Sequence, residues 1–165
     1  MPDKIKIIAA GGTFEKEYDE IQQKLTFTET HLPEMLKKGR CLAQVEVRTA
    51  MLIDSLEMTE TDRLLILEQC EKAEEKRIIV THGTDTMVDT AQLLGEKIKD
   101  KTIVLTGAMI PYSFGSSDGM FNLGCAFGFV QALDPGVYIA MNGMVFPWYN
   151  VKKQLDAGVF QPLNP

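Results

Sequence analysis

The chain's chemistry is concentrated in Ile79-Val-Thr-His-Gly-Thr-Asp-Thr86, where an apolar run stops in small hydroxyl, glycine and carboxyl residues. Thr84 offers a hydroxyl nucleophile, Asp85 a carboxylate and Gly83 a tight turn. A second cluster, Gly11-Gly12-Thr13, puts another hydroxyl nucleophile after two glycines whose backbone N–H groups can approach a bound group closely. Ser55 follows Asp54 just past a third apolar run, and Gly107 follows a fourth. A hydroxyl attacking a carbonyl needs a proton acceptor, and histidine is scarce: His31 stands at a helix start, suited to capping or the surface, and His82 lies inside the turn, suited to backbone hydrogen bonding. A lysine oriented by a carboxylate can replace histidine in that duty, and Lys152-Lys153 in the C-terminal stretch supplies candidates.

These residues need strands that end together. Lys4–Ala10 is too short an apolar run for a helix and reads as a buried strand. Ala43–Met51 alternates Val45, Val47 and Thr49 with Gln44, Glu46 and Arg48, the pattern of a half-exposed strand. Arg77–Val80, Thr102–Thr106, Gly136–Met141 and the short Met144–Phe146 complete the set. Helices are expected from Leu32 to Lys38, from a Thr59 cap with Asp62 three residues on to about Glu75, over Thr84–Lys97, and over Met120–Leu133, whose phenylalanines and alanines suit burial. Strands separated by helices require crossover connections. The expected fold is therefore α/β, three-layered, with a mostly parallel sheet, helices on both faces and a flavodoxin- or Rossmann-like shape. Its strands end at one edge, where ligands bind in such sheets. The charged Glu15–Glu20 segment reads as a mobile lid-like loop, and Trp148–Pro165 as a tail without strong periodicity.

Composition narrows the partners. The 165 residues are 45% hydrophobic, enough to bury one ordinary core, and no linker, repeat or low-complexity segment divides residues 1–165. Acidic residues outnumber basic ones by 23 to 17, a net charge of -6, which argues against nucleic acid and for a small molecule or a protein. Cys41, Cys70 and Cys125 are an odd number without metal-like spacing, consistent with reduced thiols in the cytoplasm. Neither a signal peptide nor a membrane span is visible. The apolar Val159–Leu163 stretch points to a partner surface.

Several motifs together resemble the N-terminal domain of the L-asparaginase and glutaminase amidohydrolases: Ile8-Ala-Ala-Gly-Gly-Thr13, Thr81-His-Gly-Thr-Asp-Thr86, Gly107-Ala-Met-Ile-Pro111, Ser117-Asp-Gly-Met-Phe-Asn-Leu123 and Met141-Asn142. The resemblance implies hydrolysis of a side-chain carboxamide of asparagine or a similar amide, with no metal or organic cofactor and a homo-oligomeric assembly. It makes Thr13 the nucleophile, and Thr84, Asp85 and Lys153 a second triad in which the lysine draws on the threonine hydroxyl and the aspartate orients the lysine. It assigns Ser55 to the substrate's α-carboxylate, Asp85 also to its α-amino group, the N–H groups of Gly12 and Thr84 to the oxyanion, and Tyr18 to the lid tyrosine. The pattern departs from the family in Leu56, where a glutamine commonly follows the serine, and in length, since 1–165 corresponds to the first domain with the usual C-terminal domain absent. Two other readings stay open: a non-catalytic amino-acid-binding module derived from such an enzyme, and, less well supported because the acidic Glu15–Glu20 segment repels phosphate, a phosphate or nucleotide binder.

Overall fold

The computed structural model describes residues 3–165. In chain order its elements are β1 (Ile5–Gly11), β2 (Glu17–Asp19), β3 (Lys24–Thr26), α1 (Leu32–Lys38), β4 (Val45–Ile53), α2 (Glu60–Lys72), β5 (Arg77–Thr81), α3 (Met87–Lys97), β6 (Thr102–Thr106), α4 (Gly119–Ala132), β7 (Gly136–Met141), β8 (Met144–Pro147), β9 (Lys152–Gln154) and β10 (Val159–Gln161). The main sheet runs β4-β1-β5-β6-β7-β8, parallel except for the antiparallel β7–β8 pair. The expected three-layer α/β fold is what forms.

The sidedness of β1 explains the layers. Ile5, Ile7 and Ala9 face the core shared with Leu32 and Met35 of α1 and Leu123, Ala126 and Val130 of α4. Ile8 and Ala10 face the opposite core, with Ile66, Leu67 and Cys70 of α2 and Met87, Ala91 and Leu94 of α3. With both faces covered, every residue of β1 is buried, as expected of a central parallel strand. β4 lies at the sheet edge and stays partly exposed along its length. The capping box at α2 forms: the Asp62 N–H donates to the Thr59 hydroxyl, while the Thr59 N–H donates to the Asp62 carboxylate at 2.8 Å.

Several boundaries and roles differ from expectation. α3 begins at Met87 rather than Thr84, because Thr86 directs its N–H to the Ser55 hydroxyl and its own hydroxyl to the Ser55 carbonyl, holding 82–86 out of helical geometry. The phenylalanines of α4 are not its buried face: Phe121 is exposed and Phe127 and Phe129 are half-buried, while the smaller Leu123 and Ala126 meet the sheet. Glu15–Glu20 is not a loose loop. Phe14 and Glu15 are fully buried, and the segment continues into a β2–β3 hairpin that pairs Tyr18 with Leu25, its turn capped by the Asp19 carboxylate accepting from Ile21 and Gln22. The C-terminal stretch is also ordered. β9 and β10 form a hairpin, and Phe160, expected on a partner surface, is buried in the α2/α3-side core. Neither three-residue strand carries a long enough period to reveal itself in sequence.

Candidate active site

β1 and β5 are adjacent and parallel, yet the helices that follow them diverge. α1 packs on one face of the sheet and α3 on the other. That divergence opens a crevice beyond the two strand ends, the place where doubly wound sheets bind ligands, and its walls are the Gly11–Thr13 and His82–Thr86 turns. The two turns touch through glycine. A Cβ on Gly12 would lie 2.3 Å from the Gly83 Cα, and one on Gly83 would lie 2.6 Å from the Ser55 Cβ. Gly12 also has φ of +76°, in the region only glycine enters freely. Larger residues at either position would separate Thr13, Ser55 and Thr84.

The structure places the predicted residues unevenly. Lys153, on β9, donates to the Thr84 hydroxyl at 2.8 Å and to an Asp85 carboxylate oxygen at 2.8 Å. Its side chain is 9% exposed, against 41% for that of Asp85. The Thr84–Lys153–Asp85 cluster expected from sequence is thus assembled, and of the two C-terminal lysines it is Lys153 that turns inward. Phe160, paired with Lys153 across the hairpin and buried behind it, fixes that orientation. Ser55 is buried, its oxygen accepting the Thr86 N–H at 3.2 Å, which leaves its own proton free to donate. Thr13 is half-buried at the start of a single 3-10 turn.

Two expectations are corrected. The Gly12 N–H does not point into the crevice as an oxyanion donor; it donates to the Ile53 carbonyl at 2.8 Å, so Gly12 contributes by close approach instead. Among the described residues no protein acceptor meets the Thr84 N–H, the other expected donor. Tyr18 stands on the β2–β3 hairpin at 56% exposure, out in solvent rather than in the crevice, because its cross-strand pairing with Leu25 fixes it on the ribbon. His82 has the backbone role expected of it. Its Nδ1 donates to the Gly83 carbonyl at 2.7 Å, so Nε2, 2.8 Å from the Thr90 hydroxyl, is left as an acceptor. Burial pushes its pKa down to about 4, and the neutral ring braces the turn. His31 occupies the first position before α1 but makes no side-chain cap. The Thr30 hydroxyl and the Glu15 carboxylate hold the first N–H groups there instead.

Other supporting residues gain their roles only in the fold, although Met109, Asp118 and Asn122 lie within the 107–111 and 117–123 motifs. Glu15 is fully buried, accepting from the Thr30 hydroxyl at 2.7 Å and the His31 N–H at 2.7 Å. Burial raises its pKa, and these two hydrogen bonds work against the rise. Lys16 reaches Asp54 at 2.6 Å and ties the Thr13 turn to the Ser55 turn. Asp118, immediately before α4, caps no helical N–H. Its carboxylate accepts from Met109 and Ile110 at 3.0 Å, while Asn122 donates to the Gly107 carbonyl at 2.8 Å. These bonds pin the 107–111 loop, which places Met109 beside Thr84 with a sulfur–oxygen distance of 3.6 Å. Those two motifs are the sequence clue to Met109, Asp118 and Asn122, whereas Glu15 and Lys16 show only as charges that solvent exposure explains equally well.

Comparison with known proteins identifies the family of the fold. The family model described as "Asparaginase, N-terminal" matches residues 4–159. L-asparaginase of Thermococcus kodakarensis is 29% identical over 168 residues, covering 98% of this chain and 51% of that protein. L-asparaginase 2 of Escherichia coli is 32% identical over 177 residues, covering 97% and 49%. A glutaminase-asparaginase of Acinetobacter glutaminasificans is 28% identical, covering 93% and 50%. The solved thermostable L-asparaginase of T. kodakarensis superposes with a TM-score of 0.86 at 28% identity, over 98% of this chain and 52% of that one. The chain spans about half the length of these relatives, and it belongs to the asparaginase family, matching its N-terminal domain.

Proposed function

We propose, from that membership, that the chain is an amidohydrolase that cleaves the side-chain carboxamide of L-asparagine or a similar small amide to the acid and ammonia, with Thr13 as nucleophile. The observation that carries the reading is the buried Lys153 ammonium position shared between the Thr84 hydroxyl and Asp85. A lysine bonded to a hydroxyl and oriented by a carboxylate is the arrangement that, once the amine is neutral, removes the proton of an attacking oxygen.

The Thr13 hydroxyl passes its proton to the Thr84–Lys153 pair as its oxygen attacks the carboxamide carbon, giving a tetrahedral oxyanion for which the Thr84 N–H is the donor. The C–N bond then breaks as that proton is handed to the nitrogen, which departs as ammonia and leaves an ester on Thr13. Water, deprotonated through Thr84 and Lys153, attacks that ester and releases the acid. Ser55, with its donor proton free, binds the substrate's α-carboxylate. Asp85, whose side chain is 41% exposed, meets the α-amino group through the oxygen not bonded to Lys153. No metal or organic cofactor is required by this scheme. We further place the protein in the cytoplasm, a reading supported by its free cysteines Cys41, Cys70 and Cys125, and as a homo-oligomer, supported by the apolar groove that Leu36, Leu42, Met120 and Phe127 line beside α1 and α4.

Incubation with a reactive asparagine analogue tests the proposal. An acyl adduct located on Thr13, together with ammonia release from asparagine that Thr13→Ala abolishes, is the expected outcome. Ammonia release that survives in Thr13→Ala refutes the nucleophile. Calorimetric binding of aspartate with no ammonia from asparagine, glutamine or short carboxamides would leave the binding-module reading in its place.

A further inference from the structure

We propose that Met109 is an oxidation site whose conversion to the sulfoxide by a peroxide disables the Thr84–Lys153 pair. For its effect on turnover, the inference rests on the amidohydrolase reading above. The Met109 sulfur lies 3.6 Å from the Thr84 hydroxyl, the same oxygen that accepts from Lys153. Its methyl group packs against the hairpin that carries Lys153, since a Cβ on Gly158, in the turn between β9 and β10, would lie 3.3 Å from the Met109 Cε. The residue is 38% exposed, within reach of a small oxidant. Four other methionines, Met35, Met58, Met87 and Met141, are sealed in the core.

The chemistry is a two-electron oxygen transfer. The sulfur lone pair attacks one peroxide oxygen, the O–O bond breaks, the sulfur gains an oxygen and the remaining oxygen leaves as water. A thioether is a weak acceptor and a sulfoxide a strong, polar one. In the epimer directed at Thr84, the added oxygen accepts from the Thr84 hydroxyl at about 2.7 Å in the bent geometry usual at an acceptor oxygen, which the 3.6 Å between sulfur and hydroxyl accommodates. The loop backbone stays in place, because both oxygens of Asp118 hold the Met109 N–H and Asp118 also holds Ile110. The polar sulfoxide no longer suits its packing against the β9–β10 turn at Gly158. Thr84 is diverted to the sulfoxide and the hairpin is loosened, so Lys153 is drawn from its place. A thiol-dependent methionine sulfoxide reductase reverses the change.

The test treats the whole protein with graded hydrogen peroxide and follows three readouts: the added oxygen on each methionine-containing peptide, ammonia release from asparagine, and the acylation rate of Lys153 by a lysine reagent. Met144, 55% exposed on the edge strand β8, serves as internal control. We expect activity to fall at least tenfold in step with Met109 oxidation, and Lys153, 9% exposed in the reduced protein, to be acylated severalfold faster. Met144→Leu should lose activity on the wild-type curve. Met109→Leu, whatever activity it starts from, should hold that level across the same peroxide range. Loss in Met109→Leu as steep as in wild type overturns the proposal, as does full Met109 oxidation with no change in Lys153 acylation. Should the untreated protein hydrolyse no carboxamide, the functional reading fails by itself, while the Lys153 labelling still decides the switch.

Discussion

Replacing Lys153 by methionine separates the chemical duty of that residue from its structural one. Methionine keeps an unbranched side chain over the buried Phe160 and removes only the cation. The ion pair it breaks has an exposed side: the Asp85 side chain is 41% accessible, so water can solvate the orphaned carboxylate. A pair of that kind contributes below about 1 kcal/mol to folding, and the urea midpoint should hardly move. The catalytic loss is expected to be much larger. A positioned proton acceptor contributes about 10²- to 10⁴-fold, or roughly 3 to 5 kcal/mol of barrier at 1.36 kcal/mol per tenfold. A kcat loss several times the stability loss, in free energy, is thus the signature of Lys153 as proton acceptor. Steady-state ammonia release supplies kcat and KM, and urea titration supplies stability on the same preparation. KM should change less than kcat, because Lys153 bears on the substrate site only through Asp85, whose other oxygen meets the α-amino group, and does not touch the proposed carboxylate site at Ser55. If Lys153→Met stays within about threefold of wild type while Thr13→Ala is inactive, the lysine is a strut and the proton leaves by another path.

Gly12→Ala should be destabilising and nearly inactive. Its Cβ would sit 2.3 Å from the Gly83 Cα on a backbone at φ of +76°, costing about 1–2 kcal/mol for the left-handed conformation and about 1–3 kcal/mol for the overlap, measurable by urea titration. If the variant instead matches wild type in stability, the β1 and β5 turns do not touch as described. Acid should weaken the fold through His82. Its folded pKa, about 4, lies below the ordinary 6.5, so the unfolded chain takes up a proton that the folded chain refuses. The contribution is complete above pH 6.5 and is lost as pH falls towards 4, amounting to roughly 3 kcal/mol. In His82→Gln, the urea midpoint should fall less over the same range; parallel curves for the two proteins would exclude the histidine as the cause.

What could be read in the sequence was what leaves a periodic or compositional trace. Lys4–Ala10 announced a two-face-buried strand by its unbroken apolar run, and Thr59 with Asp62 announced a helix start. The small residues at strand ends pointed to Thr13, Ser55 and Thr84, because glycine and hydroxyl clusters after apolar runs are rare without a turn. Lys153 was legible only through the family resemblance, since a Lys-Lys pair in a nonperiodic tail ordinarily faces water, and its inward turn depends on a hairpin of three-residue strands. The Gly12 N–H bond leaves no local trace because its partner, the Ile53 carbonyl, lies 41 residues away at a break in the β1–β4 register. The outward turn of the α4 phenylalanines is hidden for a related reason. Facing a sheet at close range, Leu123 and Ala126 fit where a phenyl ring does not, and hydrophobicity alone does not report the available depth.

The β9–β10 hairpin has a bearing on the order in which the protein is made. Thr13, Ser55, Thr84 and Asp85 all leave the ribosome well before Lys153, and the six-stranded sheet can close without β9 and β10, which pair only with each other. A nascent chain therefore displays the crevice before it possesses Lys153, the base proposed for it. The hairpin's docking, through Phe160 into the core and the Phe160 N–H onto the Asn142 side chain at 2.8 Å, is the step at which a folded domain would become a reactive one. Truncation just after Asn150 also takes Val151 and Phe160 out of the core, so it should lower the urea midpoint as well as abolish turnover.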